Sequence, residues 1–150
     1  MIDYKPVGAA RPTIDVLLVD DNLADVRLTQ ETFRDVNPMI WLHVAGDGVE
    51  AMDFLQRRGD FLAAPRPKLI LLDLNLPKKD GRQVLAEIKA DPTLRLIPTI
   101  VLSMSDSPAD VSSTYQLQAS AFIKKPLGLD DSELFLRRIN DFWLETVLYA

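Results

Sequence analysis

Short apolar runs that stop at acidic or hydroxyl residues alternate along this chain with longer stretches in which apolar positions return at helical spacing. Ile14-Asp15-Val16-Leu17-Leu18-Val19 is rich in β-branched residues and stops at Asp20-Asp21, which predicts a buried strand. Asn22 is placed to cap a helix; Leu23, Val26 and Phe33 then carry its apolar spacing to about Val36, and Asn37-Pro38 ends it. The pattern repeats. Residues 40–45 read as a strand, Gly46-Asp47-Gly48 as a turn, and residues 49–55 as a helix closed by Arg57-Arg58-Gly59. Leu69-Ile70-Leu71-Leu72 is almost purely apolar and ends at Asp73, the signature of a central strand buried on both faces. A loop through Asp80-Gly81 leads to a helix reaching about Ala90, and Pro92 and Pro98 bracket the way into a strand at 99–103. Pro108 suits the first turn of a fourth helix that fades near Gln118. Residues 119–124 form a short fifth strand, and a last helix is expected from about Asp131 to Leu148. Residues 1–13, with two prolines, a glycine and no periodicity, read as an N-terminal arm or loose lead-in.

Five strands alternating with five helices call for an α/β fold with a doubly wound parallel sheet, because parallel strands need crossovers and crossovers are right-handed. Such sheets place their sites outside the carboxyl ends of the strands, where strand order reverses. Composition narrows the function. A chain of 150 residues, 47% hydrophobic and 26% charged, is one soluble domain with a core of its own. Its net charge of −5 is the wrong electrostatic footprint for direct nucleic-acid binding. With no cysteine, disulfides, thiolate metal sites and a cysteine nucleophile are excluded; with no signal-like or membrane-length apolar run, the expected location is cytoplasmic.

Under the carboxyl-end rule, Asp20 and Asp21 end the first strand, Asp73 the third and Ser103 the fourth, while Lys125 follows the fifth. Three carboxylates held together repel one another unless a cation joins them. An all-oxygen set without histidine or cysteine points to Mg²⁺, with Mn²⁺ or Ca²⁺ as substitutes, and Lys125 supplies a monovalent complement. Each residue alone is bland: a strand-end aspartate caps or turns, a lone lysine is solvated, and Ser103 by itself says nothing. His43, the one histidine, lies away from the rim and reads as structural, and Trp41, Met52 and Phe54 read as packing.

The matching residues Val19-Asp20-Asp21, Leu72-Asp73-Leu74-Asn75-Leu76-Pro77 with Asp80-Gly81, Ser103 at a strand end, and Lys125-Pro126 resemble the receiver domains of two-component response regulators. The resemblance covers residues 14–149 and implies a flavodoxin-like sheet in the order 2-1-3-4-5, counted from the strand at 14–19, with no output domain. It also implies roles. Asp73 would be the phosphoacceptor for a sensor histidine kinase; Asp21 would ligate Mg²⁺ directly and Asp20 mostly through water, with the backbone carbonyl of Asn75 completing the set. Lys125 and Ser103 would bind the new phosphoryl group, and Ser103 and Phe122 would form the switch. Two positions depart from the commonest pattern: Ser103 replaces the more frequent threonine with little chemical consequence, and Met104 replaces a small residue and stands to crowd the phosphoryl pocket; Phe122 also lacks the tyrosine hydroxyl often found at its place, so switching there must be by packing.

Asp47-Gly48-Val49-Glu50-Ala51-Met52, Ala64-Pro65-Arg66-Pro67 and Asp141-Phe142-Trp143-Leu144 extend the likeness to the cyanobacterial phytochrome-associated response regulators, which implies a phytochrome kinase as partner. The last helix carries more apolar residues than one core-facing stripe uses, so a homodimer through the fourth and fifth helices is expected. Two other functions compete. A degenerate receiver would bind partners without phosphorylation, against which intact Asp21, Asp73 and Lys125 argue. A haloacid-dehalogenase-type phosphatase would want a second aspartate where Asn75 stands, so the chain is expected to be no enzyme beyond self-catalysed phosphoryl transfer and autodephosphorylation.

Overall fold

The computed structural model describes residues 2–4 and 13–150. Its strands are β1 (Ile2–Tyr4), β2 (Ile14–Val19), β3 (Ile40–Ala45), β4 (Leu69–Asp73), β5 (Thr99–Ser103) and β6 (Ala121–Lys124). Between and after them come α1 (Leu23–Val36), α2 (Gly48–Leu55), α3 (Gly81–Ala90), α4 (Pro108–Gln116) and α5 (Leu129–Ile139). The five strands from β2 to β6 run parallel in the order β3-β2-β4-β5-β6, the 2-1-3-4-5 arrangement that the family resemblance implied. The chain reverses direction across the sheet between β2 and β4, and that is where the ends of these two strands lie side by side.

A sixth strand was not foreseen. β1 pairs antiparallel with β3, with Ile2 opposite Val44 and Tyr4 opposite Leu42. The arm expected at 1–13 falls mostly outside the described residues, but its Ile2–Tyr4 portion is a strand rather than a loose lead-in. Three residues are below the length at which a strand pattern can be read, and the pairing with β3 supplies what the local sequence lacks.

Alternation along the buried strands sends side chains to two cores. Leu17, Val19, Ile70, Leu72 and Val101 pack with Ala51, Met52 and Phe54 of α2 and Val84, Leu85 and Ile88 of α3. Their neighbours Val16, Leu18, Leu69, Leu71, Ile100 and Leu102 face the other way onto Val26 and Phe33 of α1 and Leu136 and Ile139 of α5. Burying each side chain of this size is worth about 1.5 to 3 kcal/mol, so burial on both faces commits β4 to the centre of the sheet. Leu23, expected on the inner stripe of α1, is exposed at the first helical position beside the Asn22 cap, where the helix has not yet reached the core.

The last helix differs from the expectation of a helix to Leu148. α5 ends at Ile139 and passes into a π-helical turn at Asn140–Leu144. Asn140 is buried and accepts a hydrogen bond at 3.0 Å from the Nδ2 of Asn37, which is itself buried beyond the end of α1. Pinning that amide inward widens the turn: the Glu145 N–H reaches the Asn140 carbonyl five residues back at 3.0 Å. Apolar periodicity continued past Ile139, whereas a polar contact from a segment 103 positions away decided the geometry. Leu136, Ile139 and Leu144 are buried, while Leu134 and Phe142 remain exposed, as the surplus of apolar positions foretold.

Candidate functional site

β2 delivers Asp20 and β4 ends on Asp73 because each run of apolar residues must leave the core at its carboxyl end, and both acids stand at the same rim of the sheet. Asp20 is 3% exposed and Asp73 8%, unusual values for carboxylates and affordable only with partners. Asp20 accepts the Asn22 N–H at 2.9 Å, and Asp73 accepts the Asn75 N–H at 3.0 Å. Asp21 is exposed beside them. Asp20, Asp21 and Asp73 each bring a carboxylate oxygen within 4.8 Å of the others. That is an all-oxygen set of the right type for a hard divalent cation.

Lys125 follows β6 and reaches into this cluster. Its Nζ donates to Asp20 Oδ2 at 3.0 Å, to Asp73 Oδ2 at 2.9 Å and to Asp25 Oδ2 at 2.9 Å. Burial by itself would lower the titration of the ammonium, but the three carboxylates outweigh it and hold Lys125 well above the usual lysine range. Asp20 is raised, chiefly by burial and further by the charge of Asp73; the Asn22 N–H and Lys125 offset only part of this. One buried cation among several carboxylates therefore leaves negative charge uncompensated, and the donor set fits a dication on its own chemistry.

Ser103 is 1% exposed at the end of β5, one position beyond Leu102, the residue paired with Asp73. Its hydroxyl oxygen accepts the Ser105 N–H at 3.1 Å; among the described residues it makes no hydrogen bond to the carboxylates. The fold thus brings Asp20, Asp21, Asp73 and Lys125 together directly and places Ser103 on the adjoining strand end. Exposed Met104, with Asp21, Asn75 and Asp73, lines a mouth of about 640 Å³, which puts it at the pocket entrance. Phe122 on β6 is half-buried against the α2–α3 core, and its N–H donates to the Tyr115 hydroxyl of α4 at 3.2 Å. His43 lies elsewhere, bonded to Asp15 at 2.9 Å and stacked on Trp41, as a structural residue should.

Two contributions escaped the sequence. Asp25 belongs to the first turn of α1, a place where an acid ordinarily complements the helix dipole, so its type carried no sign of a distant lysine partner. Its spacing three residues after the Asn22 cap, on a helix that starts at the acidic pair, is the one local signal that it faces the rim. The close packing at Gly48 and Gly81 is the second: an added Cβ at Gly81 would lie 2.3 Å from the Asp73 carbonyl oxygen, and one at Gly48 2.1 Å from that of Lys79. These glycines let α2 and α3 start hard against the loop that follows Asp73. Lys78 in that loop takes a positive φ of 64° and pairs with Asp47 at 3.4 Å, the residue that caps α2.

Comparison with known proteins agrees with this geometry. Residues 16–137 match the family model described as the response regulator receiver domain. The chain is 46% identical to response regulator Rcp1 of Synechocystis sp. over 138 residues, covering 92% of this chain and 94% of Rcp1. The crystal structure of the Mn²⁺-bound form of Rcp1 superposes with a TM-score of 0.87 at 46% identity, covering 91% of this chain and 98% of that one. The phosphorylated cyanobacterial phytochrome response regulator RcpA superposes with a TM-score of 0.88 at 44% identity over the same shares of the two chains.

Proposed function

The chain belongs to the response regulator receiver family, and on that footing we propose that it is a phosphorylation switch that accepts a phosphoryl group on Asp73. The observation that carries this reading is the buried Asp73 held between the Asp20 and Asp21 carboxylates and the Lys125 ammonium at the mouth of an open pocket. The donor is a phosphohistidine of a sensor histidine kinase. A carboxylate oxygen of Asp73 forms the new bond to phosphorus as the bond from phosphorus to the donor imidazole breaks, and the product is an acyl phosphate. Asp21, Asp73 and the backbone carbonyl of Asn75 would hold Mg²⁺ directly and Asp20 mostly through water, and the ion would supply charge neutralisation at the phosphoryl oxygens. Lys125 is already within hydrogen-bond reach of the reacting carboxylate, so its positive charge is in place before the phosphoryl group arrives.

Ser103 then turns its hydroxyl to the phosphoryl group and gives up the Ser105 N–H, drawing in the segment that leads to α4. The half-buried ring of Phe122 repacks with it. This is a local charge event biasing a two-state element. The net charge of −5 supports action through protein contacts rather than direct binding to nucleic acid, and the likeness to Rcp1, which spans 94% of that protein, supports a role like that of a response regulator. Similarity to RcpA supports a phytochrome as the kinase. No helix among the described residues is long and apolar enough to cross a membrane.

Incubation with acetyl phosphate and Mg²⁺, followed by intact mass, tests the switch. The expected result is a phosphoryl adduct that needs Mg²⁺ and is lost in Asp73→Asn; no adduct in the wild type would favour a phosphorylation-independent binding module, and continuous release of phosphate would favour a phosphatase. Exposed Tyr115 on α4, with Leu134 on α5 and Phe142 beyond it, supports a homodimer through the fourth and fifth helices. Light scattering across a concentration series should show mass rising toward the dimer, and a constant monomer mass with and without phosphorylation would rule this out.

A further inference from the structure

We propose that Asp25 is a positioning residue for phosphoryl transfer: it holds one N–H of the Lys125 ammonium so that another stays aimed at Asp73. This rests on Asp73 being the phosphoacceptor. A lysine ammonium has three N–H donors and no acceptor, and here its hydrogen bonds go to Asp20, Asp25 and Asp73 at 2.9 to 3.0 Å. Two of those partners have a second duty. Asp20 and Asp73 belong, with Asp21, to the oxygen cluster suited to a divalent cation, and Asp73 must also bond the phosphoryl group. Asp25 stands outside that cluster, and among the described residues its carboxylate bonds Lys125 alone.

The backbone that carries the anchor is itself fixed. The Asp25 N–H donates to the Asn22 cap at 3.1 Å, and the Asp25 carbonyl accepts the hydroxyl of buried Thr29 at 2.8 Å. Lysine, by contrast, hangs on a flexible four-carbon stem and loses its direction when its partners are shared out. A carboxylate on a short side chain, carried by a fixed turn of α1 and outside the cation cluster, therefore keeps the ammonium in line through the reaction. The contact spans 100 positions of sequence, joining the first turn of α1 to the segment after β6.

Two plainer roles make different predictions. If Asp25 served only the dipole of α1, replacing it would leave the reaction rate alone. If it acted as bulk negative charge repelling an anionic donor, replacing it would speed the reaction. The test is a time course of adduct formation by the full chain with acetyl phosphate and Mg²⁺, read by intact mass, for wild type, Asp25→Asn, Asp25→Glu, Lys125→Met and the Asp25→Asn/Lys125→Met double variant. Asp25→Asn is expected to slow the adduct roughly tenfold, Asp25→Glu to recover most of that loss, and Asp25→Asn to change the rate less than about twofold once Lys125 is methionine. The Asp25 side chain is 43% exposed, so the asparagine variant should fold.

A second measurement needs neither metal nor phosphate. The ¹⁵Nζ ammonium signal of Lys125 in the free protein should lose order in Asp25→Asn relative to wild type. An unchanged or faster rate in Asp25→Asn, the same fold-loss in the Lys125→Met background, or an unaltered Lys125 ammonium signal would each overturn the assignment. Absence of any adduct in the wild type would instead overturn the phosphoacceptor reading on which it rests.

Discussion

Replacing Lys125 with methionine is expected to destabilise the protein by about 3 to 5 kcal/mol near neutral pH, the usual cost of removing one partner from a buried ion pair. The side chains of Lys125, Asp20 and Asp73 are only 11%, 2% and 10% exposed, so water replaces the lost ammonium only in part. The pH dependence follows from the directions of titration. In the wild type, Lys125 is raised in the folded state, so its contribution is complete below the ordinary lysine range and fades only as pH rises past it. Asp20 is raised as well, which for a carboxyl group means that the folded state takes up a proton more readily than the unfolded chain. Without Lys125 that tendency grows. The variant should therefore regain stability as pH falls from about 7 toward about 5, whereas the wild type gains less over that interval. Mg²⁺ should restore part of the loss at neutral pH by binding the folded state alone. Denaturant unfolding at the two pH values, with and without Mg²⁺, checks all three statements; equal stability of variant and wild type under every condition would mean that the ion cluster contributes nothing net.

Gly81→Ala should be comparably damaging, for a steric reason. The added methyl would lie 2.3 Å from the Asp73 carbonyl oxygen, 2.6 Å from Leu74 Cα and 2.8 Å from the Leu74 carbonyl oxygen. All three are backbone atoms of the segment that presents the reacting carboxylate, and none is a flexible side-chain end. Relief requires α3 to move away from β4, which breaks the Gly81 N–H bond to the Leu74 carbonyl at 2.9 Å and loosens Val84, Leu85 and Ile88 in the core. A loss of about 3 kcal/mol is expected, together with adduct formation slowed by roughly tenfold or more because Asp73 shifts with its backbone. Gly46→Ala is the control: nothing lies within 4 Å of its added methyl, so its stability and rate should match the wild type. Thermal unfolding and the acetyl phosphate time course on both variants separate steric crowding from a general intolerance of substitution.

Much of this molecule was legible in the amino-acid sequence because strands buried on both faces must be apolar throughout, and the polar residues that end them mark the rim. Ile14–Val19, Ile40–Ala45 and Thr99–Ser103 are bounded in the structure as their composition predicts, and Leu69–Leu72 gains only Asp73. The carboxyl-end rule then collected Asp20, Asp21, Asp73, Ser103 and Lys125 on one edge from strand positions alone. What sequence could not show are meetings between distant segments whose residue types have ordinary local uses. Asp25 reads as a helix-start acid, Asn140 as one more polar position on a helix, and Ile2–Tyr4 as part of an arm. Tertiary structure turned these into an ammonium anchor, a buried amide that ends α5 and an added edge strand. Local pattern reports the period of burial and the chemistry of each residue; which partners meet across 100 or more positions depends on how the packed layers bring chain ends together, and that is settled only when the whole sheet and its helices are in place.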